Sequence, residues 1–161
     1  MNLRNAVASV LVCGVFVGTS LAAPATTPYL PPAVERPGDM GREAYRDAPL
    51  VEAAGAENIN PPANTPEAAV VKFLASRMRG DDEWRKAMVA EPSDRTKRQL
   101  EQWDAWTLER FQLRGRKKHG ADAASIRVFF AISFDGRLEE GEDEFELVSE
   151  GDAWHVASPP A

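Results

Sequence analysis

Residues 125–134 read SIRVFFAISF, and the reading of this stretch decides the fold. Ile126, Val128, Phe130, Ile132 and Phe134 fall on every second position, so an extended chain gathers them on one apolar face. Ser125, Arg127, Phe129, Ala131 and Ser133 share the opposite, mixed face. Asp135-Gly136 follows at once, a strong two-residue hairpin signal after alternating apolar residues. Outward from that turn, Phe145 and Leu147 belong to a second strand, and Glu150-Gly151-Asp152 turns into a last one with Trp154 and Val156. Upstream, Phe111 and Leu113 alternate with Arg110, Gln112, Arg114 and Arg116, before a basic turn at Lys117-Lys118-His119-Gly120. The pattern predicts an antiparallel meander.

Two-residue loops fix a register. A loop at Asp135-Gly136 sets Ile126 opposite Phe145 and Arg127 opposite Glu144. It also sets Val128 opposite Asp143, a mismatch that a bulge near Gly141 would relieve. A loop at Glu150-Gly151 sets Leu147 opposite Trp154, Phe145 opposite Val156 and Glu146 opposite His155.

Before Arg110 the apolar period is helical. Asn64-Thr65-Pro66-Glu67 combines an N-cap candidate, a proline at the first helical position and an early acid. Val70, Phe73, Leu74 and Met78 continue that helix to Gly80. Asp81-Asp82-Glu83 opens a predicted second helix striped by Trp84, Ala87 and Met88. Pro92-Ser93-Asp94 opens a third, through about Trp106, with Leu100 and Trp103 inward. The expected fold is therefore α+β: three N-terminal helices packed on a curved antiparallel β-meander, in one domain at residues 65–159.

The N-terminal part reads differently. Residues 1–22 carry Arg4, then the apolar run AVASVLVCGVFV, then Ser20-Leu21-Ala22, the order of a secretory signal peptide cleaved near Ala22. The run is shorter than the roughly 20 residues of a membrane span, so no stable anchor is expected after cleavage. Cleavage also removes Cys13, the only cysteine, leaving no disulfide or Cys-based metal site. Residues 23–64 hold eight of the twelve prolines and read as a flexible tether, with Tyr29 and Tyr45 as solvated linker residues. Net charge is +4 over residues 67–118 and −8 over 119–161, a polarity that fits pairing between the two halves. The overall −6 disfavours nucleic acid as a partner.

The opening Thr65-Pro66-Glu67-Ala68-Ala69-Val70, the Gly80-Asp81 helix end and the closing Gly151-Asp152-Ala153-Trp154-His155-Val156 resemble the nuclear transport factor 2-like (cystatin-like cone) superfamily, in particular its small secreted bacterial members. The resemblance implies helices closing a cone over a concave sheet, with a pocket between them. That pocket would receive Phe73, Trp84, Trp103, Trp106, Phe111, Val128, Phe130, Phe145 and Trp154, as ligand-binding residues or as ordinary core. The tyrosine of isomerase-like members has no counterpart in residues 65–159. Asp104, beside Trp103, and Asp143, opposite Val128, are the weak catalytic candidates, as bases with raised pKa.

On the convex face, Arg127, Phe129, Ala131, Val148 and His155 form a candidate interface for a homodimer. The arginines of that face and the acids of residues 139–146 (EEGEDEFE) otherwise read as a solvated charge ladder. No metal site or cofactor is expected. The leading expectation is a secreted or periplasmic non-catalytic domain binding a small apolar ligand or an envelope protein. The alternatives are a small isomerase, dehydratase or cyclase-like enzyme, and an assembly module dimerising through the convex sheet.

Overall fold

A computed structural model describes residues 33–35, 41–45, 48–59 and 61–161. The signal-peptide expectation, Cys13 and Tyr29 lie outside the described residues. The strands are β1 (Ala33–Glu35), β2 (Arg42–Tyr45), β3 (Val51–Glu52), β4 (Thr107–Lys118), β5 (Ala123–Phe134), β6 (Arg137–Glu150) and β7 (Ala153–Ser158). They form one sheet in the order β1-β2-β4-β5-β6-β7, with β3 also paired to β4. Every strand pair is antiparallel.

The β5–β6 hairpin follows the predicted register. Asp135 (φ 50°) and Gly136 (φ 74°) are both left-handed, which is the mirror-image turn that matches strand twist. Ile126 faces Phe145 and Arg127 faces Glu144 in an unbroken ladder. No bulge forms at Gly141. Gly141 lies opposite Phe130, whose ring would sit 3.4 Å from a Cβ placed there, so the aromatic covers the glycine and keeps the strand regular. The mismatch of Asp143 with Val128 disappears because Asp143 is exposed.

The bulges fall elsewhere, between Leu108 and Arg110, between Leu113 and Gly115, and between Glu146 and Leu147. The second one corrects the face of Arg116. One inserted residue turns Arg116 onto the apolar side, opposite Ile126. The last hairpin is also corrected: its loop is Gly151-Asp152, closed by Glu150 and Ala153. Leu147 therefore faces Val156, Ser149 faces Trp154, and His155 faces Val148 instead of Glu146. Moving the turn by one residue changes the register by two, which preserves which side chains face inward.

Two α-helices are present among the described residues, not three. The first, α1 (Pro66–Arg79), is capped by Thr65 Oγ1, which accepts from Ala68 N at 3.2 Å, and ends at left-handed Gly80. The second, α2 (Asp94–Asp104), is capped by Ser93 Oγ, accepting from Thr96 N at 3.1 Å. Between them, Glu83–Ala87 forms only a 3-10 helix. Local polar groups stop it from elongating: Asp81 Oδ1 accepts from Glu83 N at 3.0 Å and Ser76 Oγ from Trp84 N at 2.7 Å. Met88 is then drawn extended into a parallel bridge with Val156.

The folded unit begins before the expected boundary at 64. β2 pairs with the upper half of β4 (Glu43 with Arg116, Ala44 with Gly115), and β3 sets Val51 against Phe111. Tyr45 is buried, at 8% exposure, so it is not a solvated linker residue. A 3-10 helix at Ala53–Asn58 buries Ala56. Four-residue alternation, as in REAY, is too short to read as a strand among prolines.

Candidate functional site

The sequence places an aromatic cluster where the resemblance implies a cavity, and the structure fills it. Phe73, on α1, lies 5.6 Å from each of Trp84, Trp103 and Phe145, all edge to face. Trp103 lies 5.8 Å from Trp106, Phe130 and Phe145. These are ring contact distances, which leave no ligand-sized gap between the rings. Phe73, Trp84, Trp103, Phe111, Val128 and Phe130 are buried as core; Trp106 and Trp154 pack partly exposed at its rim. The Trp103 indole donates to Pro160 O at 3.0 Å, so the chain end closes over the cluster.

The two rim tryptophans border surface depressions. Trp154, with Pro66, Arg116, Lys118 and Ala124, lines one of about 290 Å³. Trp106, with Arg77, Asp81, Asp82 and Asp104, lines a polar groove of about 340 Å³. The first falls just below and the second just inside the range of small-molecule pockets, about 300–1,000 Å³.

Neither catalytic candidate has the setting of a general base. Asp104 accepts from Arg77 Nη1 at 2.6 Å, and its side chain is 52% exposed. Asp143 is exposed in the middle of β6, where its Oδ1 accepts from Glu144 N at 2.7 Å. The structure does not bring them together.

The charged group that is buried was missed by sequence reasoning. Glu67 is fully buried in the first turn of α1. Its Oε1 accepts from the Tyr45 hydroxyl and from Arg116 Nη1, the latter at 2.9 Å. Arg116 also donates through Nε to Glu43 at 2.9 Å. Burial opposes the guanidinium's charge, but the Glu43 hydrogen bond and the nearby Glu67 carboxylate outweigh it and hold the Arg116 pKa above its ordinary value. The cluster ties β2, β4 and α1 together. One sequence signal was available: Glu67 lies three and seven residues before Val70 and Leu74, in line with the apolar stripe.

On the sheet face expected to be convex, Arg110, Arg114 and Arg127 each pair with an acid within the chain. Arg110 pairs with Glu140 across Ala131, which is why an outward alanine is fully buried. Arg114 lies 3.8 Å from Glu142, with its guanidinium 5.3 Å from the Phe129 ring centroid. Arg127 reaches Glu142 at 3.6 Å and Glu144 at 3.3 Å. Arg42 completes the row at 2.5 Å from Glu144, its stem passing over Gly115, where a Cβ would stand 3.5 Å from Arg42 Cγ. Burial would raise the Glu144 pKa, but Ser125, Arg42 and Arg127 together hold it below 4.5. Val148 and His155 are half-buried beside this row. His119, exposed, lies with Nε2 3.1 Å from Ser125 Oγ. No group of three or more His, Cys, Asp or Glu side chains among the described residues is arranged to hold a metal ion.

No protein-family model, curated protein or solved structure matches this chain.

Proposed function

We propose that this chain is a secreted or envelope-associated non-catalytic domain that works by docking a protein partner on its exterior. The observation that carries this reading is the filled interior: the rings at the centre of the domain touch one another, edge to face, at 5.6 Å. An apolar ligand would have to displace Phe73, Trp103 or Phe145, each at most 1% exposed. The carboxylates suited to catalysis by position are spent on surface hydrogen bonds with Arg77 and with the Glu144 amide. The signal-peptide pattern of residues 1–22 supports the extracytoplasmic setting.

The test is a titration of the domain with a panel of apolar and aromatic small molecules, following the buried Trp103 indole N–H by NMR. The expected result is no saturable shift of that resonance. A small molecule that moves it saturably opens the core and overturns the docking reading.

A further inference from the structure

The last strand leaves part of the sheet uncovered. Among the described residues β7 pairs with β6 only from Glu146 to Glu150, so residues 137–145 are paired there on the β5 side alone. The turn geometry identifies which backbone groups face outward. In a two-residue mirror-image hairpin the closing residues, here Phe134 and Arg137, exchange both hydrogen bonds. Alternation then directs the odd residues of β6 toward β5 and the even ones outward. A second observation agrees: the Glu144 amide donates to Asp143 Oδ1 at 2.7 Å. The N–H and C=O groups of Leu138, Glu140 and Glu142 therefore line a free edge, roughly 13 Å long at the rise of an extended chain.

The residues after β7 supply no amide donor at positions 159 and 160, where Pro159 and Pro160 follow Ser158, and Pro160 O is taken by Trp103. Along the edge, Glu140 and Glu142 are neutralised by arginines on the convex face. On the face that carries Phe145 and Leu147, Glu139 and Asp143 are exposed and have no ion pair among the described residues, with Gly141 between them. Leu138, 57% exposed, offers an apolar contact beside the turn. A second copy pairing here would set acid against acid, so self-association by this edge is disfavoured.

We propose that the free edge of β6 is a strand-addition site for an extended segment of a protein partner. That segment carries Lys or Arg at two positions four residues apart, with a small residue midway to face Gly141. Backbone pairing supplies the contact, and Glu139 and Asp143 select the sequence. This assignment rests on the docking reading and names its partner chemistry.

The experiment uses the full chain and the capped peptide Lys-Val-Ser-Val-Lys. Binding is followed by NMR and by amide exchange at Leu138, Glu140 and Glu142. Two controls are the peptide N-methylated at alternate residues and the double variant Glu139→Lys/Asp143→Lys. The expected result is protection of those three amides, weakening with salt, loss of binding on N-methylation, and an affinity about tenfold lower in the variant. Both substitutions are at exposed positions, and an unchanged amide spectrum away from the edge verifies the variant's fold. Absence of binding, or binding insensitive to N-methylation and charge reversal, overturns the edge assignment and leaves the acids as protection against aggregation. Binding that shifts the convex face instead overturns the edge while sparing the docking reading, which falls only to the small-molecule titration.

Discussion

Tyr45→Phe is the sharpest perturbation of this fold, because it removes one oxygen from a residue that proline content assigns to a tether. The Tyr45 hydroxyl donates to Glu67, a fully buried carboxylate, and the ring is 8% exposed. Phenylalanine fills the same volume, so no cavity term enters. A hydrogen bond to a charged acceptor contributes a net of about 1.5–3 kcal/mol, and the Glu67 oxygen left behind keeps Arg116 at 2.9 Å. The expected cost is therefore near the lower bound, about 1.5–2 kcal/mol. With a urea slope of roughly 1–3 kcal/mol/M, the midpoint falls by about 0.5–2 M. Urea unfolding followed by tryptophan fluorescence reads this directly, since all four tryptophans lie at or after position 84. A double-mutant cycle with Glu67→Gln should give a coupling of about 0.5–3 kcal/mol. A change within about 0.5 kcal/mol, the range of ordinary surface substitutions, would show that β2 does not clamp the sheet in solution.

Trp103→Ala, at a site 1% exposed and in contact with four other aromatic rings and with Pro160 O, should cost about 3–5 kcal/mol by thermal or urea unfolding; a cost below 1 kcal/mol contradicts a close-packed interior. Gly115→Ala puts a methyl 2.7 Å from Glu43 O, so β2 must shift; about 1–3 kcal/mol of stability should go, together with exchange protection of the β2 amides. Glu144 has a folded pKa below 4.5, so its stabilisation is present at neutral pH and is lost as pH falls from about 4.5 through the folded value. Asp81, lowered chiefly by the Ser76 hydroxyl, acts in the same direction. Glu144→Gln should flatten the stability–pH curve in that acid range, and an unchanged slope would remove Glu144 from the linkage. Because the convex-face arginines are satisfied within one chain, light scattering should give a monomer at about 100 μM in physiological salt, where the Debye length is about 8 Å; a dimer returns the Phe129 face to the role of an interface.

The sequence by itself determined the elements whose signals are local and repeated. The alternation of residues 125–134 and the Asp135-Gly136 turn set a strand, a hairpin and its register, because one face must be buried and both turn residues accept positive φ. Thr65-Pro66 and Gly80 bounded the first helix in the same way, through groups that satisfy its own ends. Tertiary structure decided the rest. Parity alone cannot separate two registers that differ by two residues, so the Leu147–Val156 pairing rested on where Gly151 turns the chain. The segment after Asp81 had a helical stripe, but Ser76 and Asp81 drew its amides into a 3-10 turn and Val156 pulled Met88 straight. The bulge after Leu113 reversed Arg116, and the buried Glu67 then gave Arg116 and Tyr45 a common partner. Three of these outcomes join residues more than twenty positions apart: Met88 with Val156, Arg116 with Glu67, and Tyr45 with Glu67. No window of local periodicity contains both partners. The free edge of β6 has the same origin: its acids are plain in EEGEDEFE, but only the point where β7 begins to pair, at Glu146, leaves their backbone open.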